Sequence, residues 1–496
     1  MNGGPRVAVV SLGCPKNLTD SEVMSGVLGR AGFTLTDDLE AAEAIVVNTC
    51  AFIGPARDEA WEVIGRAAAL RRRGGCRALV VAGCLAQGFA QEIRRRVPEV
   101  DRLLGTGDVQ EVARVVADAL AGRKSPEPQT GPEGRRLRTP GYLPDKDAPR
   151  LVSTPGHYAY LKIAEGCDHR CAFCLIPSLR GPYRSRPPED VVAEARALDR
   201  MGVKELVLVA QDTTAYGRDL RGRPLLGELC RRILAETGVS WLRVLYGYPS
   251  TLPDDFVALL GEEAAGRPDA LPSGEGRLCR YLDLPMQHAS DRILRAMGRR
   301  ETRQSLRRLV ERLRRDVPGV TIRSSFIVGY PGETEEDFQQ LLSFLSEVRL
   351  ERAGFFAYSR EEGTKAARLP GQLDDKTKGQ RLARAAMWQR RIVREHQRAL
   401  VGSTLRVLVE TIERRPGRAG TESVRGEDVL VRARSEADAP EIDGCVLVRW
   451  PEEDGRGAPP AAGEFIRVKV TGYRGYDLLA VPASIPSRTS TPGSTH

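Results

Sequence analysis

Three closely spaced cysteines give the strongest chemical signal in this sequence. Cys167, Cys171 and Cys174 form a C-x3-C-x2-C run directly after an apolar segment that predicts a strand. Three thiolates at this spacing can bind three irons of a [4Fe–4S] cluster and leave the fourth iron open for a small molecule. Zinc is the alternative, but zinc sites commonly use ligand pairs spaced C-x2-C, and only His169 lies nearby, inside the run. The spacing therefore favours a catalytic iron–sulfur cluster.

Three further cysteines occupy equivalent positions in the first 120 residues. Cys14, Cys50 and Cys84 each follow an apolar strand, in the segments SLGC, NTC and AGC. Because the carboxyl ends of parallel strands meet at one edge of a sheet, we expect these thiols to form one site. Three unrelated core thiols are the alternative, since cysteine is commonly buried. The remaining cysteines are assigned no chemical role: Cys76, Cys230, Cys279 and Cys445.

The segments around the cysteines predict an α/β fold with parallel sheets. In the N-terminal block, apolar strands alternate with helical stretches, a pattern typical of a parallel sheet. These strands are predicted at Arg6–Leu12, Ala44–Thr49 and Ala78–Ala82. Residues 157–400 contain six more strand–helix units, two fewer than a closed (β/α)8 barrel, so we expect a partial (βα)6 barrel open on one side. Its strands are predicted at Tyr158–Ala164, Glu205–Ala210, Leu242–Gly247, Arg280–Pro285, Thr321–Val328 and Ala353–Tyr358.

Residues 401–482 predict a small C-terminal β-barrel. Five short alternating strands with glycine-containing turns suit an OB-like barrel. Twelve Arg and Lys stand against fourteen Asp and Glu in this segment, a balance that suits a basic protein partner better than phosphate. The predicted units are an N-terminal domain at 5–122, a linker at 123–156, the partial barrel at 157–400, the small barrel at 401–482 and a disordered tail at 483–496.

Composition limits the class of protein. The chain has 496 residues, of which 41% are hydrophobic and 28% charged, which excludes wholesale disorder. Its apolar runs are far shorter than the ~20 residues of a membrane span, and no secretory signal is recognised, so we expect a cytoplasmic protein without membrane attachment. In that reducing compartment, ten cysteines favour metal or redox use over disulfides. The net charge of +9 concentrates at 291–316 and 374–398, interpreted either as RNA-contacting basic helices or as solvated faces.

The cysteine motifs resemble those of a known enzyme family. C-x3-C-x-Φ-C, with Phe173 as Φ, resembles the signature of radical S-adenosylmethionine (SAM) enzymes. With SLGCPKN, NTCAFI, AGCLAQ and the small β-barrel, the chain from about Arg6 to Pro482 is similar to the radical SAM methylthiotransferase family. The resemblance implies an auxiliary-cluster domain, a radical SAM core and a TRAM domain. It further implies two [4Fe–4S] clusters and bound SAM, the ligands being Cys14, Cys50 and Cys84 for the first cluster and Cys167, Cys171 and Cys174 for the second.

The amino-acid sequences of several motifs resemble those of one branch of this family. The segments YLDLPMQHAS and VAQDTTAYG are similar to the corresponding segments of members that modify an aspartate in the twelfth protein of the small ribosomal subunit. The resemblance therefore implies this ribosomal protein as substrate, either free or assembled in the ribosome. Members that modify tRNA adenosine more often show GCQMN, and QSGS where this chain has Gln287-His-Ala-Ser290. The segment AGCLAQ departs from the pattern, because it lacks the basic residue often seen after AGCL. A tRNA adenosine methylthiotransferase is the alternative function, and a non-catalytic iron–sulfur electron carrier is the alternative from another class.

The resemblance also implies a mechanism with two uses of SAM. One SAM methylates a sulfur at the first cluster, and the other is cleaved to a 5′-deoxyadenosyl radical. That radical removes hydrogen from the aspartate β-carbon, which then takes the methylthio group. The electron is expected from a donor such as flavodoxin or ferredoxin.

Further residues are predicted to line the SAM pocket. Phe173 is expected near the adenine, and four residues that follow barrel strands are expected to bind the cofactor: Gln211, Gln287, Gly329 and Gly332. For the two glycines, a plain turn between strand and helix is the alternative interpretation. His288 and Ser290 are expected at the same mouth. The arginines after the cluster loop are interpreted as contacts to a carboxylate or, by default, as solvated charges: Arg180, Arg184 and Arg186.

Overall fold

The computed structural model describes residues 4–123, 140–265, 276–415, 428–450 and 458–483. Three units follow one another along the chain: a parallel sheet with helices, an open barrel and a closed small barrel. Residues 124–139 of the predicted linker and all of the predicted tail except Ala483 lie outside the described residues. The described part of the linker, residues 140–156, contains neither helix nor strand.

The N-terminal unit is a five-stranded parallel sheet covered by helices on both faces. Its strands are β1 (Arg6–Ser11), β2 (Thr34–Leu35), β3 (Ala44–Thr49), β4 (Ala78–Gly83) and β5 (Arg102–Leu104). Its helices are α1 (Pro15–Arg30), α2 (Gly54–Arg72), α3 (Cys84–Arg96) and α4 (Val112–Leu120). The strand order is β2-β1-β3-β4-β5. Both central strands are buried along their whole length, as expected of a parallel sheet enclosed on two sides. The three predicted strands are confirmed, whereas β2 and β5 are too short to show a pattern.

The second unit is the predicted open barrel. Its main strands are β6 (Tyr158–Lys162), β9 (Glu205–Val209), β10 (Trp241–Val244), β11 (Tyr281–Asp283), β12 (Thr321–Val328) and β13 (Arg352–Ala357). They form two parallel groups, β10-β9-β6 and β11-β12-β13, joined by a bridge between Leu242 and Leu278. Within the described ranges, β6 and β13 do not pair with each other, so the barrel is open between them.

Helices and a small hairpin complete this unit. The hairpin strands are β7 (Ala164–Glu165) and β8 (Arg184–Ser185). The helices are α5 (Ile176–Arg180), α6 (Pro188–Arg200), α7 (Arg218–Arg221), α8 (Leu226–Glu236), α9 (Asp254–Ala264), α10 (Asp291–Ala296), α11 (Arg303–Asp316), α12 (Glu335–Val348) and α13 (Asp375–Leu400). None of the helices in the described part of the chain is long and apolar enough to cross a membrane.

The third unit is a closed five-stranded barrel, as predicted. Its strands are β14 (Thr404–Arg415), β15 (Asp428–Ser435), β16 (Val446–Trp450), β17 (Phe465–Arg474) and β18 (Asp477–Pro482), in the order β14-β15-β16-β18-β17. Alternate residues such as Val407 and Val409 fill its interior, which is the period of two that half-buried strands require.

The small barrel packs against the floor of the open barrel, where the barrel strands begin. Arg434 Nη2 donates to Glu205 Oε2 at 2.6 Å, and Tyr158 Oη donates to Glu441 Oε1 at 2.8 Å. Tyr281 Oη donates to Asp443 Oδ2 at 2.6 Å. Some acids of the segment predicted to bind a basic partner therefore form hydrogen bonds with the open barrel instead. The net charge of this segment does not measure the charge of its outer surface.

The N-terminal unit lies at the opposite end and contacts both edges of the barrel opening. On one side, Asp20 of α1 is paired with Lys162 at the end of β6. On the other, Gly54 at the start of α2 donates its backbone N–H to Glu361 Oε1 at 2.9 Å, just beyond β13. The N-terminal sheet therefore spans the mouth of the barrel.

Candidate active site

Cys14, Cys50 and Cys84 lie together at the carboxyl edge of the N-terminal sheet. Cys14 precedes α1, Cys50 follows β3, and Cys84 begins α3. Burial raises the pKa of Cys50, and the nearby Cys14 thiol raises it further. Burial together with Cys50 and Cys14 raises the pKa of Cys84 to about 12. These mutual effects show that the three thiols share one environment.

Cys167, Cys171 and Cys174 lie in the loop between β7 and α5. Cys167 donates its backbone N–H to the carbonyl of Gly181 at 3.2 Å, and Cys174 Sγ accepts from the N–H of Ile176 at 3.4 Å. Burial raises the pKa of Cys167 to about 12, with contributions from Asp212 and Cys171. Burial also raises the pKa of Cys174, beside Cys171 and Cys167.

Each trio fits a cluster that takes three thiolate ligands. All six cysteines are free thiols, and each trio is drawn into one loop or one sheet edge. Within the described residues, no group of three or more His, Cys, Asp or Glu side chains is arranged to hold a single metal ion. A [4Fe–4S] cluster spreads its thiolates over several irons. Ligation by these six residues stays a prediction.

Glycines directly before three of the cysteines permit this arrangement. Gly13, Gly83 and Gly166 have φ values of +86°, +87° and +84°. A Cβ on Gly13 would lie 2.4 Å from Cys50 Cβ, and one on Gly166 would lie 2.0 Å from the carbonyl oxygen of Pro182. Only glycine combines this backbone conformation with so little space. The Gly-Cys dipeptide alone does not mark a site, because it also occurs at Gly75-Cys76 and Gly444-Cys445.

Side chains around the second trio form a stack that the sequence did not reveal. His169 Nε2 lies 2.7 Å from Asp212 Oδ2, and its ring stacks on Tyr248 with centroids 3.6 Å apart. The guanidinium of Arg299 lies 3.8 Å from the centroid of the Tyr248 ring. His169 is thus engaged by Asp212, which agrees with its exclusion as a zinc ligand.

Two of the predicted cofactor residues lie at the mouth with unusual surroundings. Gln211 donates its side-chain amide to Glu165, while Gln211 Oε1 is buried without a hydrogen-bond partner. Gln287 has a φ of +71° and donates its N–H to the Ser325 carbonyl at 2.9 Å. Left-handed backbone at a non-glycine residue is strained and is found most often at functional sites.

Phe173 belongs to a small apolar cluster beside the cysteine loop. Its ring packs with a group that includes Tyr330 and Tyr358. Tyr330 also interacts electrostatically with Cys171, so this cluster borders the second trio. Neither tyrosine carries a signal that could be recognised in the sequence.

The predicted glycines of the turn after β12 serve packing. Gly332 donates its N–H to the carbonyl of Gly371 at 2.8 Å. A Cβ on Gly329 would lie 2.5 Å from Cγ of Lys378 in α13. Both contacts favour the alternative interpretation of this motif, a plain turn between a strand and a helix.

His288 and Ser290, which were expected at the same mouth, are both buried. Ser290 is the N-cap of α10, and its Oγ donates to Asp337 Oδ1 at 2.6 Å. His288 is fully buried, and its Nδ1 accepts from the N–H of Ser290 at 2.9 Å. Because His288 Nε2 is buried without a hydrogen-bond partner, a pocket contact by His288 stays a prediction.

Arg180 connects the first cysteine site to the open barrel. It is 2% exposed, so the default interpretation of a solvated charge is wrong. Its Nε donates to Cys84 Sγ at 3.3 Å, and its Nη1 donates to Asp20 Oδ2 at 2.6 Å and to Glu165 Oε2 at 3.1 Å. One guanidinium therefore contacts a thiol of the first trio, an acid of α1 and an acid of the barrel.

Arg186 is also buried, whereas Arg184 is half-buried. Arg186 Nη1 donates to the carbonyl of Lys162 at 2.7 Å and to Glu194 Oε2 at 2.6 Å. The solvated interpretation is therefore wrong for Arg186 as well.

Sequence profiles of three families match this chain in the order of its units. The uncharacterized protein family UPF0004 matches residues 6–105, the radical SAM superfamily matches residues 161–345, and the TRAM domain matches residues 401–482. Each match falls within one structural unit. The second includes all of the C-x3-C-x2-C loop.

Curated relatives resemble the chain over nearly its full length. A protein named ribosomal protein uS12 methylthiotransferase RimO from Pelotomaculum thermopropionicum is 45% identical over 96% of this chain and 98% of its own. Relatives of the same name are 48% identical in Desulforudis audaxviator, covering 96% of both chains, and 46% identical in Anaeromyxobacter sp. strain K, covering 98% and 95%.

Solved structures share the fold at low sequence identity. The radical SAM methyltransferase TsrM from Kitasatospora setae superposes with a TM-score of 0.51 at 16% identity, covering 73% of this chain and 74% of its own. The cobalamin-dependent radical SAM enzyme OxsB gives a TM-score of 0.50 at 13% identity, covering 73% of this chain and 54% of its own. At such identities the likeness shows the architecture alone.

Proposed function

This chain belongs to the radical SAM methylthiotransferase family, and from that premise we propose that it attaches a methylthio group to the β-carbon of an aspartate in ribosomal protein uS12. The single observation that carries the proposal is the presence of two cysteine trios on units joined by Arg180, which contacts Cys84 of the first trio and Glu165 of the barrel. One site alone would suffice for cleaving SAM. Two sites suit a reaction that also inserts sulfur.

The cysteines are proposed to hold two [4Fe–4S] clusters. When bound, these clusters would supply the electron that cleaves SAM to a radical and the sulfur that is inserted. A radical is needed because the C–H bond of the substrate is unactivated. The chain positions and shields these groups. Buried carboxylates at the mouth are already paired, as Glu165 is with Lys162 Nζ at 2.8 Å, which keeps them from competing as ligands.

Phe173, Gln211 and Gln287 are proposed to shape the SAM pocket. Gln211 Oε1 is a buried acceptor without a partner, and such an atom costs free energy unless a ligand donates to it. Gln287 holds a strained backbone at the end of β11. For Gly329 and Gly332, SAM contact stays a prediction beside the packing role already described.

A protein substrate is favoured over tRNA by two observations. The relatives with 45% to 48% identity are named for uS12. In addition, most arginines of the basic segment 291–316 are paired with acids: Arg292, Arg299, Arg303, Arg307, Arg312, Arg314 and Arg315. Paired arginines have less charge to offer phosphates.

The test is mass spectrometry after anaerobic reaction of the reconstituted enzyme with SAM, sulfide and a low-potential reductant. Purified uS12 and bulk tRNA are offered in separate reactions. We expect one methylthio group in place of one hydrogen on an aspartate of uS12, with that hydrogen recovered in 5′-deoxyadenosine. A product on tRNA and none on uS12 would establish the tRNA-modifying alternative. Flavodoxin and ferredoxin are compared as physiological donors.

A second set of variants tests whether SAM cleavage requires only the barrel trio, while methylthio transfer also requires the N-terminal trio. Cys14→Ala, Cys50→Ala and Cys84→Ala should still cleave SAM to 5′-deoxyadenosine, because the barrel loop does not include these residues. No methylthio product is expected from them. Normal product from any of the three would remove the N-terminal trio from the reaction.

A further inference from the structure

Lys16 lies beside the N-terminal cysteine trio, at the barrel mouth, without an ion-pair partner. It follows Cys14 by two residues, in the first turn of α1, and its side chain is half-buried. Its Nζ lies 3.3 Å from the centroid of the Tyr246 ring, just beyond β10 at the barrel mouth. Among the described residues, no carboxylate pairs with this ammonium. A half-buried cation without a counterion is costly unless a ligand supplies the negative charge.

The acids nearest to Lys16 are satisfied by other groups. Asp283 and Glu165 both interact electrostatically with Lys16. Asp283 Oδ1 accepts from Arg323 Nη1 at 2.8 Å, and its Oδ2 accepts from the N–H of Tyr246 at 3.2 Å. Glu165 is paired with Lys162 and Arg180. Burial lowers the pKa of Lys16, while Cys14, Asp283 and Glu165 act to raise it, and none of these groups forms an ion pair with its ammonium.

Backbone strain at Tyr246 is an independent sign that this position is functional. Tyr246 has a φ of +62°, a left-handed conformation that is strained for a non-glycine residue. The same residue that bears this strain places its ring under the Lys16 ammonium. Because aromatic faces attract cations, the ring fixes the position of Nζ while leaving its three N–H donors available.

We propose that Lys16 binds the side-chain carboxylate of the substrate aspartate, with Tyr246 as its positioning residue. The inference rests on the proposed function, in which the reacting atom is the β-carbon next to that carboxylate. A charge-assisted contact to the carboxylate fixes that carbon one bond away, at the barrel mouth beside the N-terminal trio. An asparagine side chain has nearly the same shape but no charge, so Lys16 would also make the enzyme specific for aspartate.

The experiment is a double-mutant cycle on the affinity of the reconstituted enzyme for uS12. Two uS12 proteins are compared, the natural one and one with the modified aspartate changed to asparagine. Wild-type enzyme should bind the asparagine form about 10- to 100-fold more weakly, the range of one hydrogen bond to a charged group. Lys16→Met should bind both forms equally and weakly, whereas Lys16→Arg should restore part of the discrimination.

Controls separate this role from effects on fold and metal. Lys204→Met removes an exposed lysine near the barrel floor and should behave as wild type. Iron content and the electron paramagnetic resonance spectrum should be unchanged in Lys16→Met.

Two results would overturn the inference. One is full discrimination between aspartate and asparagine by both Lys16→Met and a second variant, Lys16→Gln. The other is a changed spectrum with discrimination intact, which would assign Lys16 to the first trio. If wild-type enzyme neither bound nor modified uS12, the proposed function would fail, and the inference would fail with it.

Discussion

At the scale of single residues, the cysteine sites depend on glycines that leave no room for a side chain. Gly13 has a φ of +86°, and a Cβ there would overlap Cys50. Gly32 has nearly the same φ of +88°, but a Cβ there would meet nothing within 4 Å. Comparing alanine substitutions at these two positions therefore distinguishes the free-energy cost of backbone strain from the effect of a steric clash with Cys50.

We expect Gly13→Ala to disrupt the N-terminal trio and Gly32→Ala to preserve it. Both variants pay about 1–2 kcal/mol for alanine in the left-handed region. Only Gly13→Ala must also move Cys50, so only this variant should lose iron from the first site. Iron analysis and thermal unfolding of both proteins are the measurements. Equal iron content in the two variants would show that the clash does not matter.

The barrel trio should load independently of the N-terminal trio. Replacing Cys167, Cys171 and Cys174 together with alanine is expected to remove about half of the iron and abolish SAM cleavage, because each site has its own three ligands. Cys230→Ala, at a buried cysteine of the barrel core, is the matched control and should keep both. Loss of all the iron, or of none, would contradict two separate sites.

At the scale of elements, one buried network joins α1 to the barrel. Arg180 pairs with Asp20 and Glu165, and Lys162 pairs with the same two acids. Burial works against the charge on Glu165, but Arg180 and Lys162 outweigh it and lower the pKa of Glu165 to about 2. The network therefore holds its charges and fixes the distance between the two sites.

Arg180→Met should destabilise the protein strongly. Removing one partner of a buried ion pair leaves uncompensated charge and costs about 3–5 kcal/mol. The surface pair of Arg196 and Glu236 gives a matched control, because Arg196 is largely exposed and Arg196→Met should change little. Chemical unfolding of both variants measures the difference. Arg180→Met with the stability of the control would exclude the network as a link between units.

At the scale of the whole molecule, the small barrel is attached through buried charge. Glu205 at the barrel floor accepts from Arg434 Nη2 and Arg243 Nε, both at 2.6 Å. Burial tends to raise the pKa of Glu205, but the two guanidiniums outweigh burial and hold it below its usual value. A lowered folded-state pKa means that the unfolded chain binds the proton more readily, so this contribution to stability increases with pH.

Acid should therefore loosen the attachment of the small barrel. The contribution of Glu205 is complete above its unfolded pKa of about 4.3 and is lost as the pH falls through the lower folded value. Glu205→Gln should lose this part of the pH dependence and be less stable at neutral pH. Thermal unfolding between about pH 7 and pH 3 and limited proteolysis are the measurements, with exposed Glu262→Gln as the control. Parallel pH profiles for wild type and Glu205→Gln would refute this role.

The same contacts bear on the prediction that the small barrel binds a basic protein partner. Glu436 pairs with Arg280, and Asp438 pairs with Arg352, so these acids hold the floor together. Removing residues 401–496 would expose buried barrel residues as well as remove a binding surface. Single charge reversals on the outer face of the small barrel avoid that difficulty.

The sequence by itself determined which six cysteines are candidate cluster ligands, which strand ends they follow and in what order the three units occur. Ligand spacing and hydrophobic periodicity are local properties, and both can be recognised along the chain. Only the tertiary structure decided the roles of Arg180, Lys16 and the acids of the small barrel. Arg180 meets Asp20 across 160 positions of sequence, and Arg434 meets Glu205 across 229. An arginine in the sequence is equally suited to water or to a buried pair, and only folding, by removing water from both partners, decides between them.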